Sequence, residues 1–111
     1  MDFDPSVLNE ILPDCPDLQA ETLQDYLQVL DCGLTELDRG LSDIALADVV
    51  RSSHRLKGAS QSVGAMAVAA LCQEIEAAGR ANDSSRFADF RTQLPACAQA
   101  LQKIIRENLS A

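Results

Sequence analysis

Leu23, Leu27, Leu30, Leu34 and Leu37 follow one another at alternating steps of four and three residues. Such steps gather side chains on one stripe of an α-helix and would scatter them over both faces of a strand. A stripe of five leucines needs apolar partners, and three later segments offer them. Ala45, Leu46, Val49, Ser53, Leu56, Ala59 or Ser60 and Val63 form one face; Val68, Leu71, Cys72, Ile75 and Ala78 form another; Phe87, Phe90, Leu94, Cys97, Leu101 and Ile104 or Ile105 form a third. With three other amphipathic helices to cover it, the leucine series reads as a bundle core rather than the seam of a coiled-coil dimer, and a monomer is expected.

Turns between these segments are short, which favours antiparallel neighbours. The expectation is an all-α fold: an up-down antiparallel four-helix bundle, with a short extra N-terminal helix over one end, making one domain of residues 1–111. Asp4 is expected to cap that first helix, with Pro5 at its first position. Leu12 to Asp17 reads as a turn, with Asp17 capping the second helix, on which Gly33 falls on a face away from the leucines. Gly40 to Asp43 reads as the next turn, and the third helix is expected from about Ile44 to Val63, ended by Gly64. The fourth runs from about Ala65 to Ala78, stopped by Gly79. Asn82 to Ser85 turns the chain into the fifth, which Pro95 should kink.

Composition narrows the class. A chain of 111 residues with 47% hydrophobic content can fill one helical core, and four aromatics with no tryptophan leave the packing to aliphatic side chains. No apolar run is long enough to span a membrane, and the N-terminus lacks the pattern of a secretory signal, so a cytoplasmic location is expected. Cys15, Cys32, Cys72 and Cys97 are widely spaced, unlike zinc ligands or a disulfide framework. Cys72 and Cys97 read as small core residues; Cys15 and Cys32 read as exposed and reduced. Residues 2–48 hold 12 acids and one base, net −11, and residues 49–111 hold 8 bases and 5 acids, net +3, for a total of −8. That balance argues against nonspecific nucleic-acid binding.

His54 is the only histidine, in the run His54-Arg55-Leu56-Lys57-Gly58-Ala59-Ser60-Gln61-Ser62-Val63-Gly64. It lies about 100° or more around the helix from the apolar stripe and is expected to be accessible. Lys57, three residues on, shares its face. Gly58 costs the helix roughly 1 kcal/mol relative to alanine. Either it relieves crowding against a neighbouring helix, or it lets a bulky group approach the imidazole. Arg51, Arg55 and Lys57 surround His54 and form a basic patch on an acidic chain.

This run, followed by Leu71-Cys72-Gln73-Glu74-Ile75-Glu76, resembles the signature of histidine-containing phosphotransfer (HPt) domains of phosphorelays: His-x-Leu-Lys-Gly, two small residues, then a hydrophobic residue and glycine, and further on a Leu-Glu pair. Ile75 stands where leucine is common. A short helix followed by four longer ones also resembles the family, so the likeness covers nearly the whole chain. It implies that His54 is the phosphoacceptor, through Nε2, taking a phosphoryl group from the aspartyl phosphate of a receiver domain. It implies further that Glu76 bonds Nδ1 and thereby aims the ring. Lys57 would offset phosphoryl charge as a flexible point charge, and Gly58 would give access.

The partners implied are a receiver domain of a hybrid histidine kinase and a response regulator, docking over Val50, Gly58 and parts of the first two helices. No phosphate-binding loop or kinase lid occurs in the sequence. The chain therefore reads as a phosphocarrier and not an enzyme, with no cofactor of its own and Mg²⁺ expected in the partner receiver. The starting methionine and the length favour an independent gene product, although a domain excised from a larger histidine kinase, such as a chemotaxis kinase, would read similarly. A helical adaptor that binds without transferring phosphate is less favoured by the His54, Lys57, Gly58 and Glu76 set. An enzyme using His54 as a general base is third.

Overall fold

The computed structural model describes residues 2–110; Met1 and Ala111, the ends of the expected domain, lie outside the described residues. Five helices follow in order: α1 (Ser6–Ile11), α2 (Pro16–Asp43), α3 (Leu46–Val63), α4 (Met66–Arg80) and α5 (Phe87–Ser110). Helix α3 packs on α2 and on α4, and α5 closes the ring against α2 and α4, which is the expected up-down bundle. Leu23, Leu30 and Leu37 are buried, and Leu27 and Leu34 pack half-buried against the same cluster. Val49 and Leu56 of α3, Val68, Cys72 and Ile75 of α4, and Phe90, Leu94, Leu101 and Ile105 of α5 complete the core. Polar groups inside it are satisfied: Tyr26 Oη and Ser60 Oγ lie 2.7 Å apart, and Ser53 Oγ donates to the Val49 carbonyl at 2.6 Å.

The helix ends depart from the sequence reading in one consistent way. Gly40 does not open a turn, and Gly79 does not end a helix; both stay helical because a neighbouring helix crosses there. A Cβ on Gly79 would come to 2.8 Å from Val50 Cγ2, and one on Gly40 to 3.2 Å from Val49 Cγ2. Gly33 faces Leu56 across the α2–α3 contact. The terminating left-handed residues are instead Ile44 and Asn82, at φ 51° and 54°. Behind them the Ala45 amide donates to the Gly40 carbonyl and the Asp83 amide to the Ala78 carbonyl, each at 2.9 Å.

At the helix starts, Cys15, not Asp17, is the N-cap of α2, with Pro16 at the first position and Asp17 in the first turn. Pro5 is the N-cap of α1; Asp4 sits one residue earlier, its Oδ1 accepting from the Ser6 amide at 3.0 Å. Helix α5 continues through Pro95 as one element. Cys72 is buried and Cys32 exposed, while Cys15 and Cys97 are half-buried; all four are free thiols.

Gly64 ends α3 as expected, at φ 85°. The N-terminal segment latches onto this turn: the Asp4 amide donates to the Gly64 carbonyl at 2.8 Å, the Ala67 amide to the Asp2 carbonyl at 3.3 Å, and Phe3 is buried between. Gly58 is the opposite case, since a Cβ there would meet nothing within 4 Å. No neighbouring helix explains it. The two glycines should therefore respond to alanine with opposite signs. Gly58→Ala should stabilise the fold by about 0.5–1 kcal/mol through helix propensity. Gly64→Ala should destabilise it by at least about 1–2 kcal/mol, because the left-handed conformation is strained for alanine and the new Cβ would collide with the Asp4 carbonyl. Urea midpoints of the two variants check both signs.

Candidate functional site

Helices α3 and α4 form a hairpin about Gly64 and Ala65, and its geometry sets what can meet across it. His54 lies ten residues before Gly64, and Glu76 ten residues after Met66, the first residue of α4. At about 1.5 Å per residue both stand some 15 Å from the turn, and so at the same level. The close crossing at Gly79 and Val50 holds the helices together just beyond that level.

The imidazole side chain is 65% exposed, whereas the Glu76 side chain is only 6% exposed. His54 Nδ1 lies 3.1 Å from Glu76 Oε2 and 3.3 Å from Oε1. Two cations reach the same carboxylate. Lys57 Nζ donates to Oε1 at 2.8 Å, and Arg80 donates to Oε2 through Nε at 3.0 Å and a terminal nitrogen at 2.8 Å. The Lys57 hydrogen bond, helped by those of Arg80 and His54, holds the Glu76 carboxyl at about 2, against burial, which acts in the opposite direction. An ionised carboxylate can only accept. Nδ1 therefore carries the hydrogen, and in the neutral ring the lone pair falls to Nε2 on the exposed side.

Lys57, which the resemblance implies is a flexible point charge, rests here against other side chains. Its side chain is 16% exposed and bound on two sides, by Glu76 and by Gln73 Oε1 at 2.9 Å. The surrounding basic patch is also largely compensated: Arg51 pairs with Asp48, and Arg55 lies 3.5 Å from Glu36 Oε2. Counting Arg51, Arg55, Lys57 and Arg80 against Glu36, Asp48 and Glu76 leaves an excess of one positive charge. Val50, expected on the open face, is half-buried against Gly79. Gly58 is exposed beside Lys57.

Two members of the cluster were absent from the sequence reading, Arg80 and Gln73. Both had a signal. Arg80 follows Glu76 by four residues, the favourable order for a helical ion pair, and Gln73 precedes it by three, so all three share one face of α4. Among the described residues, no group of three or more His, Cys, Asp or Glu side chains is arranged to hold a metal ion. No described helix is long and apolar enough to cross a membrane.

A family model for the Hpt domain matches residues 12–104. The fold is similar to the crystal structure of histidine-containing phosphotransfer protein B (HptB) from Pseudomonas aeruginosa PAO1, with a TM-score of 0.90 at 19% identity, covering 98% of this chain and 95% of that one. No curated protein matches the chain. The match over residues 12–104 takes in α2, α3 and α4 whole, most of α5 and every side chain of the Glu76 cluster, and on it the chain belongs to the Hpt family of histidine-containing phosphotransfer domains.

Proposed function

We propose that the chain relays a phosphoryl group between receiver domains of a phosphorelay, from a hybrid histidine kinase to a response regulator, with His54 as the phosphoacceptor. The observation that carries this reading is an exposed imidazole whose Nδ1 is engaged by a buried, ionised carboxylate. In the forward step the Nε2 lone pair attacks phosphorus of the donor's aspartyl phosphate. The Nε2–P bond forms, and the bond from phosphorus to the aspartyl oxygen breaks, leaving its electron pair on the donor carboxylate. The ring keeps its Nδ1 hydrogen and becomes cationic, a charge that Glu76 stabilises at hydrogen-bond distance. Return to a second receiver aspartate is the same step reversed.

Gly58 leaves the ring open to a bulky phosphoaspartyl loop on the side where no Cβ projects. Mg²⁺ belongs in this reading to the receiver, where it supplies charge compensation for the transferring group. The chain then acts as a carrier that becomes half of an active site when a receiver docks.

Incubation with phosphorylated receiver domains, scored for acid-labile label, tests the assignment. His54→Gln should take up no label while keeping wild-type helix content, since the ring lies outside the core; label persisting on this variant would sink the proposal. Gly58→Gln should slow transfer by obstructing the approach without loss of helix content, and a wild-type rate with every receiver that phosphorylates the native chain would refute that role for Gly58.

Glu76 carries a distinct expectation. Glu76→Ala should lower both the transfer rate and the lifetime of phosphohistidine, whereas Glu76→Gln should retain much of both, because an amide oxygen still accepts from Nδ1. The same carboxylate imposes a pH signature. Its folded-state value of about 2 lies below the ordinary glutamate value of 4.5. Its contribution to stability is therefore fully present above about pH 4.5 and is lost as pH falls toward 2. Between those limits the wild-type protein should lose stability more steeply than Glu76→Gln, as read by urea denaturation at a series of pH values; parallel curves would show that the carboxylate is not held ionised.

A further inference from the structure

Three donors compete for the two oxygens of Glu76, and they divide unequally. Lys57 takes Oε1, which it shares with the longer contact from Nδ1; Arg80 takes Oε2 with two nitrogens. Lys57 has a second anchor in Gln73, while the Arg80 side chain is 62% exposed and bonds only Glu76 among the side-chain contacts of the cluster. Lys57 thus sits in a resting position, three residues from His54 on the same helix face, with its charge directed at Glu76 and not at the place where a phosphoryl group would arrive.

We propose that Arg80 is a positioning residue that keeps Glu76 compensated while Lys57 leaves it for the phosphoryl oxygens. The inference rests on the reading of His54 as the phosphoacceptor. Removing the sole cation from a buried carboxylate is strongly unfavourable. With Arg80 forked onto Oε2, the departure of Lys57 leaves an ion pair behind instead of an isolated buried charge. Lysine suits the moving role, with a flexible stem and three donors that can be redirected; arginine suits the fixed one, with its planar two-nitrogen grip.

The charge count agrees. Before phosphorylation Glu76 (−1), Lys57 (+1), Arg80 (+1) and a neutral His54 sum to +1. A phosphoryl group brings roughly two negative charges near neutral pH, and the ring, with Nδ1 protonated and Nε2 bonded to phosphorus, contributes one positive charge. The phosphorylated cluster then sums to about zero. The spare positive charge of the resting state is the one the phosphoryl group uses, and of the two cations bound to Glu76 only Lys57 stands on His54's own helix.

The test uses the full chain with phosphoramidate as donor, so that no receiver is required. The Nε2–P bond forms as the P–N bond of the N-protonated donor breaks, and its electron pair leaves on nitrogen as ammonia, with no proton taken from the ring. Phosphohistidine lifetime is followed by ³¹P NMR in the wild type, Arg80→Ala, Arg80→Lys, Lys57→Ala and the Arg80→Ala/Lys57→Ala double variant. The Lys57 side-chain methylene resonance is followed before and after phosphorylation. Arg80→Ala should shorten the lifetime roughly fivefold, a coupling of the size expected for side chains in one ionic network. The double variant should match Lys57→Ala alone, Arg80→Lys should recover part of the loss, and the Lys57 resonance should move on phosphorylation in the wild type but not in Arg80→Ala. Additive effects of the two alanine substitutions, or a Lys57 resonance that moves equally with and without Arg80, would overturn this inference and leave His54 as phosphoacceptor intact. A wild-type chain that takes no label at His54 would overturn both.

Discussion

A single buried carboxylate organises this protein's candidate site. Glu76 lies on the inner side of the α3–α4 contact with little exposure to water, and it stays charged there only because Lys57, Arg80 and the His54 ring all donate to it. Each donor is in turn fixed by the carboxylate. The imidazole is held in one tautomer, the lysine is drawn down against the helix, and the arginine is folded back along α4. In an apolar bundle such an arrangement is stable as a whole and unstable in parts, since losing one donor leaves charge in a place where charge is costly. The surface pairs nearby, Arg51 with Asp48 and Arg55 with Glu36, are more than half exposed on at least one side and contribute little to stability by comparison.

The bundle exists to bring two helices level and close. Leucines at heptad spacing on α2, and the aliphatic faces of α3, α4 and α5, place the hairpin of α3 and α4 against a rigid back wall. Small residues then decide how near the helices come. Gly79 against Val50 allows the close crossing beside the site, and Gly40 and Gly33 do the same where α2 meets Val49 and Leu56. Gly58 serves no packing purpose of this kind. A Cβ there would meet nothing within 4 Å, and under the proposed function the missing side chain leaves room for the incoming group.

The fold was legible because its information is periodic. Apolar side chains at steps of three and four specify helical faces whatever their neighbours do, and short turns specify antiparallel order. The meeting of His54, Lys57 and Glu76 was legible through a spaced motif, and the structure brings these three side chains together. Helix ends were read less well, for a physical reason: glycine serves both as a left-handed stop and as a flat spot for a crossing helix, and one sequence does not distinguish them. Gly64 is the first kind and Gly79 the second. Ile44, a β-branched residue, takes the left-handed position after α2, which propensity disfavours and the surrounding structure imposes. Arg80 and Gln73 were missed because their role depends on where Glu76 points, a tertiary fact, even though their spacing along α4 was visible. The contacts of Lys57 could not be read in the same way, since its partners across the helix pair determine where its charge rests.

Under the proposed function Glu76 fixes the hydrogen on Nδ1 and leaves Nε2 as the nucleophile. Long-range ¹H–¹⁵N correlation spectra of the His54 ring at neutral pH test it most directly, recorded on the free chain and again after phosphorylation. The Nδ1–H tautomer is expected in the free protein, with phosphorus bonded to Nε2 afterwards. A ring found as the Nε2–H tautomer, or phosphorus bonded to Nδ1, would contradict it.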